Sequence, residues 1–423
     1  MQEYWKSGTN TGELARGMFI ILPLKYDQKL DLKSLKILGQ SPIGFESSDF
    51  VELLALKCRA GNFVQRYQLD VPIKPIWLDK GIPVTDLQLF VFNNGIAFLS
   101  AYLAYTNADV DTVYKFVYPG YTDDEDEWKT AQSMFLRDIR ENILEKTAPQ
   151  MRWFMSDSAS QSFIIKEAYR LNTAYIPERF ADTEIVNRIT YNEHRIIDLT
   201  RDFEDLSEKD VLYVTGARDV QRENYGWGCS ITSQEISYAY VGNESKARLA
   251  DRASDDLLLT ILVMYQKYTC ILLNEEIHQR YMAKGKSSSK KSIQDLKREA
   301  LEFVAYGTLA PSQISRWNNV CETYRLLLEL NGVNEALAEI AEKINLLDDE
   351  QERLDSKRES TIGMIIAVFG LVSIISAVLE IVDYVSAGRT AMTIGFWSSL
   401  AGVLLFGAVS IVMLIKKKRN EDI

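Results

Sequence analysis

The sequence predicts an α+β cytoplasmic domain, then a helical layer, a long stalk helix and a C-terminal hairpin of two membrane-spanning helices. Three observations predict it. Two long apolar segments, Ile362–Leu379 and Ala391–Ile415, are separated only by Glu380–Thr390. Each is long enough to cross a bilayer as a helix, at ~1.5 Å per residue against a hydrocarbon core of ~30 Å. Ahead of residue 250 the chain alternates short apolar runs with turn residues, and from Asp251 onward it is patterned as helices. Just before the first apolar segment, Val333, Leu337, Ile340, Ile344, Leu347 and Leu354 keep a 4-3-4-3 rhythm, with Gln351 in one slot.

The expected organisation is an α/β domain over 1–250, a helical layer over 251–332 and a stalk over 333–361. A first span follows over 362–379, an external loop over 380–390, a second span over 391–415 and a basic tail over 416–423. Lys416, Lys417, Lys418 and Arg419 follow the second span, and Arg353, Lys357 and Arg358 precede the first. The connecting loop holds one cation, Arg389. Basic flanks stay in the cytoplasm, so both ends are expected inside a cell (inner) membrane and the loop outside. The opening residues, MQEYWKSGTNTGELARG, lack a basic leader with an apolar core, so no cleaved signal is expected.

Composition narrows the function classes. A net charge of −11 argues against direct nucleic-acid binding. Cys58, Cys229, Cys270 and Cys321 form no CxxC pair, and His194 and His278 are the only histidines. Neither GxxxxGK[ST] nor HExxH occurs. No enzymatic activity is expected.

Within the first region, Met18–Tyr26 reads as a strand. Leu87–Phe92, Asn93-Asn94-Gly95 and Ile96–Tyr105 read as a hairpin, because Asn-Gly supplies the positive φ of a tight turn. Val113–Tyr118 reads as a strand and Trp128–Lys146 as a helix. Val211–Thr215 and Ile236–Val241 read as short strands. The acidic run Thr122–Trp128 reads as a solvated loop or, alternatively, a divalent-ion site. Asp251–Met282 is apolar nearly all round its middle, which marks a buried helix rather than a third span. A helix is expected over Ile293–Tyr306, and another from an N-cap at Ser312 to about Leu330. Asn331-Gly332 interrupts it. The heptad stripe then fits either a helix packed within its own subunit or a stalk packed against copies of itself. From Val333 to Asp383 such a stalk would be ~75 Å long.

This order of parts resembles the CorA family of divalent-cation transporters, most closely over 251–423. Members of that family are pentamers whose first span lines the pore. The family's Gly-Met-Asn signature is missing: the outer end of span one reads Glu380-Ile381-Val382-Asp383-Tyr384, and Gly363-Met364 lies at the inner end. Divergent CorA-like effectors associated with type III CRISPR systems lack the signature too, and the chain looks more like these. The resemblance implies a homopentameric ion channel in antiviral defence. A nucleotide messenger, an S-adenosylmethionine–AMP conjugate or a cyclic oligoadenylate, would bind the cytoplasmic domain. The membrane lipids and copies of the chain would be its partners. A divergent transporter for Mg²⁺ and a non-conducting membrane scaffold are the alternatives.

Two sets of residues fit those roles chemically. In span one, Ser373, Ser376, Glu380 and Asp383 are spaced 3, 4 and 3 and share one side of a helix, as a pore-lining stripe would. Gly363, Ala367 and Gly370 lie on another face, where small residues would allow close helix contact. In the cytoplasmic part, Thr215–Ser230 concentrates Arg218, Asp219, Arg222, Asn224, Tyr225 and Trp227 between glycines at 216, 226 and 228. Arginines grip phosphate, aromatics stack on a base, and Asp219 accepts from ribose hydroxyls or pairs with a cationic group. Arg152–Trp153 is a second arginine–aromatic pair assigned to the same ligand.

Overall fold

The structure is a computed structural model of the 423-residue chain. It describes residues 10–27, 32, 37–44, 63–74, 81–154, 164–165, 168–176, 183–201, 211–215, 227–241, 249–282 and 293–386. The chain forms two compact units, Met1–Glu342 and Lys343–Ile423.

The first unit is built on a 10-stranded sheet. Its strands are β1 (Ala15–Lys25), β2 (Pro42–Ile43), β3 (Val64–Gln68), β4 (Val84–Phe92), β5 (Ile96–Thr106), β6 (Arg152–Trp153), β7 (Tyr169–Ile176), β8 (Leu212–Thr215), β9 (Trp227–Ile231) and β10 (Glu235–Val241). The order across the sheet is β2-β3-β4-β5-β1-β7-β10-β9-β8, with β6 on the end of β1. All neighbours are antiparallel except β7 and β10. β1 is buried along nearly its whole length, so its sequence, ARGMFIILPLK, is an apolar run rather than an alternation.

The β4–β5 hairpin forms as its sequence requires. Gly95 takes φ 88°, and the Asn94 side chain donates to Thr269 Oγ1 at 2.8 Å. Cross-strand partners share a face, which sorts the core into two layers. Met18, Ile20, Leu22, Leu99, Ala101 and Leu103 pack under α1 (Val110–Val117) and α2 (Glu125–Ile139). Further along that face, Ala174, Ile176 and Ala239 pack under α3 (Thr183–His194).

The opposite face carries Phe92, Phe98, Tyr238 and Tyr240. Against it lie α4 (Leu249–Arg252) and α5 (Ser254–Met282), then α6 (Ile293–Glu302) and α7 (Asn318–Leu330). Tyr265 of α5 stacks on Phe92 at 4.1 Å, and Tyr268 meets Phe98 edge-on at 5.7 Å. The sheet is thus covered by helices on both sides. Ser254–Gln279 in α5 is long and apolar enough to cross a membrane, yet 78 % of that apolar stretch is buried inside the fold.

Three local expectations change. Val113–Tyr118 is not a strand: it lies in α1 and its C-cap, because Val110, Val113, Phe116 and Val117 bury one helical face. The Thr106–Asp109 capping box starts the turn that leads into it. Ser312 is not an N-cap: Pro311–Gln313 is a separate 3-10 turn, and α7 starts after Trp317. The acidic run divides: 122–124 form a turn, and Glu125–Trp128 are the start of α2, where Glu125 pairs with Lys129 at 2.6 Å, while Asp124 at the N-cap meets Lys115 at 3.4 Å.

α8 (Val333–Ser386) has 54 residues, ~80 Å of helix. In the first unit its Val333 and Ile340 are buried and Leu337 half-buried, so the start of the heptad stripe packs within its own chain. The helix runs on through Ser386, past the expected end of span one at Leu379, and no glycine or proline lies between those two residues. The second expected span and the basic tail lie outside the described residues.

Candidate functional site

Strands β8 and β9 flank the loop singled out by its composition, with Thr215 paired to Gly228. Arg218, Asp219, Arg222, Asn224 and Tyr225 lie outside the described residues. Trp227 opens β9, half-buried, with its ring 5.7 Å from that of Tyr238. Tyr238 stacks parallel to Tyr240 at 5.7 Å, and Tyr175 follows at 6.3 Å from Tyr240. Arg252 sits 4.9 Å over the Tyr240 ring. The Tyr240 hydroxyl donates to Asp256, near the start of α5. Burial pushes the Asp256 carboxyl up to about 6, against the opposing pull of Tyr240 and Arg252. The root of the loop is therefore an aromatic row tied to α5.

Gly228 has a different role from the one its place in the loop suggests. It sits in β9, and a Cβ there would lie 2.4 Å from Val186 Cγ1 of α3. The missing side chain admits a helix, not a ligand.

Beneath α3 lies a buried polar network that the sequence reading did not find. Arg16 Nε meets Glu193 Oε2 at 2.8 Å, with neither side chain exposed. The Arg16 guanidinium also donates to Asn107 Oδ1 at 2.9 Å and to the Ile197 carbonyl at 2.7 Å. Next to it, Arg170 Nε donates to Glu235 Oε2 at 3.0 Å, Tyr118 OH to Glu235 Oε1 at 3.2 Å, and Asn172 Nδ2 to both Glu235 and Ser237. Burial raises Glu193 to about 7, against the opposing pull of Arg16 and Tyr105. Burial also works against Glu235, but Arg170, His194 and Asn172 together hold its carboxyl below the usual range. The available signal was an arginine inside each of two largely apolar segments, at 16 and 170.

Ser237 Oγ is 3.4 Å from His194 Nδ1, and His194 Nε2 is 3.6 Å from Glu235. That is the order of a nucleophile, base and carboxylate. Ser237 is fully buried and already accepts from Asn172, so the group packs the sheet against α3 and meets no substrate in this conformation.

The second predicted pair is elsewhere. Arg152 and Trp153 form β6, opposite Lys25 and Leu24 at the end of β1. Trp153 belongs to the apolar core and offers no stacking surface, whereas Arg152 is exposed. Trp227 pairs with Tyr240 and Tyr240 with Tyr175, beside the Ala174–Arg16 pair at the other end of β1. Along β1 that places Trp227 ~30 Å from the Arg152–Trp153 pair. Trp227 and that pair do not line one small-molecule site.

Ser373, Ser376, Glu380 and Asp383 all lie on α8, where Ser376 is exposed. The side chains of the other three lie outside the described residues. Around them Ile362, Met364, Ile365, Phe369, Ile374, Ile375, Val378, Leu379 and Val382 are each at least half exposed. Among the described residues, no three His, Cys, Asp or Glu side chains gather as a metal site. No protein-family model matches the chain, and no curated protein matches it.

Proposed function

We propose that the chain is a membrane effector of CorA-like architecture, a channel opened by a nucleotide messenger on its cytoplasmic domain and acting in antiviral defence. The observation that carries this reading is α8. One helix starts among the buried residues of the sheet-bearing unit and continues into a segment whose large apolar side chains are exposed around its circumference. Apolar surface of that extent is covered in a functioning protein, here by lipid and by copies of the chain. The homopentamer and the identity of the messenger rest on the family resemblance.

In this reading the messenger, an S-adenosylmethionine–AMP conjugate or a cyclic oligoadenylate, binds at the loop between Thr215 and Trp227. It opens the channel by binding the open form more tightly than the closed one. The aromatic row at the root of that loop, and its tie to α5, favour this end of the sheet over Arg152. The Ser373, Ser376, Glu380 and Asp383 stripe lines the pore.

The test is ion flux from liposomes holding the purified protein, with and without each nucleotide. Flux only with a nucleotide is the expected result, abolished with binding in Arg218→Ala and Asp219→Ala. Mg²⁺ flux without a nucleotide replaces this reading with a transporter. No flux under any condition, from a protein that is monomeric in mild detergent, replaces it with a scaffold.

A further inference from the structure

The aromatic row that crosses β9 and β10 runs from a partly exposed ring to a buried carboxylate. Trp227 is half-buried, whereas Tyr238 and Tyr240 are 1 % and 2 % exposed. The Trp227 and Tyr238 ring centres are 5.7 Å apart, and the Tyr238 and Tyr240 rings stack 2° from parallel at 5.7 Å. The inner ring ends on Asp256, which accepts from the Tyr240 hydroxyl. Phenylalanine would pack this face as well. Tyrosine and tryptophan are the aromatic side chains that give up an electron most readily, and here they stand in line with a proton acceptor at the inner end.

Losing an electron makes a tyrosine hydroxyl strongly acidic, so the oxidation is easy only where a base takes the proton. Asp256 is that base for Tyr240. Arg252 sits 4.9 Å over the Tyr240 ring and opposes any positive charge left there, so electron and proton must leave together. The charged and titratable groups that act on Asp256 are Tyr238 and Tyr240 of β10, Arg252 of α4, Asp255 of α5 and Cys229 of β9. Burial raises the Cys229 thiol, so it stays protonated and does not compete as a thiolate donor.

We propose that Trp227, Tyr238 and Tyr240 form an electron path that carries an oxidising equivalent from a one-electron oxidant, such as the carbonate radical anion, to Tyr240. The oxidant takes an electron from the Trp227 indole. Tyr240 returns an electron to Trp227 through the stacked Tyr238 ring, and its hydroxyl proton passes to the Asp256 carboxylate. The balance is one reduced oxidant, one neutral tyrosyl radical and one protonated carboxyl. The row gives the domain a second activity, as a sink for oxidising equivalents, and this does not rest on the channel reading.

Flash oxidation of the full-length protein in detergent by ruthenium(III) tris-bipyridine, a one-electron oxidant that stays in water, tests the path. Tyrosyl radical is read by electron paramagnetic resonance after ascorbate has removed radicals on accessible tyrosines such as Tyr121, which is 80 % exposed. The wild type should retain a tyrosyl signal. Tyr240→Phe keeps the ring and should lose most of that signal. Trp227→Phe should lower the yield severalfold, and it decides the matter where Tyr240→Phe folds poorly. In the wild type the yield should fall about tenfold from pH 8 to pH 5, as the ionised fraction of a carboxyl at about 6 does. No retained tyrosyl radical in the wild type overturns the path. A wild-type yield in either variant, folded as the wild type is, overturns it too, and a yield that ignores pH removes Asp256 as the proton acceptor and the proposal with it.

Discussion

Arg16 and Glu193 meet at 2.8 Å with no exposed side-chain surface on either, so the strand at the centre of the sheet is pinned to α3 by an ion pair sealed from water. Removing one partner strands a charge, and breaking such a pair costs ~3–5 kcal/mol. Arg16→Met should therefore lower stability by that order, read from thermal or denaturant unfolding in detergent. Arg16→Met with Glu193→Leu should recover most of the loss, since no charge is then left behind. A double variant as unstable as the single would show that Arg16 acts through Asn107 and Ile197 instead.

Asp256 makes a pH prediction. Its carboxyl is raised from 3.8 to about 6 by burial, so between those values the folded protein keeps a proton that the unfolded chain has released. This contribution is fully present below 3.8 and is lost as pH rises through about 6. Asp256→Asn keeps an acceptor for Tyr240 and removes the titration. Relative to the variant, the wild type should lose stability from pH 4 to pH 6, by an amount on the order of 2–3 kcal/mol. Parallel stability–pH curves would contradict it.

Gly228→Ala should destabilise the protein by ~1–3 kcal/mol, because its Cβ collides with Val186 and α3 must lift away. Adding Val186→Ala should restore part of that loss. If nucleotide affinity falls while stability is unchanged, Gly228 serves a ligand rather than the helix.

Glu380→Gln with Asp383→Asn should reduce the preference for cations over anions in liposome flux or bilayer currents. Unchanged selectivity would move the pore lining to another face of α8.

Parts of the fold were legible because their causes are local. The turn at Asn93–Gly95 is fixed by a backbone angle that glycine adopts, and α5 shows its burial in an apolar run that continues round the helix. Val113–Tyr118 was misread because branched and aromatic residues suit strands as well as buried helix faces, and the packing of α2 decides between them. The pairing of β1 with β7 and of β7 with β10 is set by the tertiary core and leaves no local mark. For the same reason the Arg16–Glu193 and Arg170–Glu235 contacts were hidden: each partner looks like an ordinary charge until the sheet assembles. The loop residues at 218–225 announce themselves by composition alone, and composition does not say what they touch.

The sheet order has a consequence for how the chain is made. β1 lies between β5 and β7 and joins the strands of the first half of the unit to those of the second. It leaves the ribosome before either neighbour and carries Met18, Phe19, Ile20, Ile21 and Leu22 with both of its edges open. Until residues 96–106 and then 169–176 have been synthesised, nothing in the sheet can cover it. The nascent protein therefore carries this apolar strand with one edge open until β5 is made and the other until β7 is made.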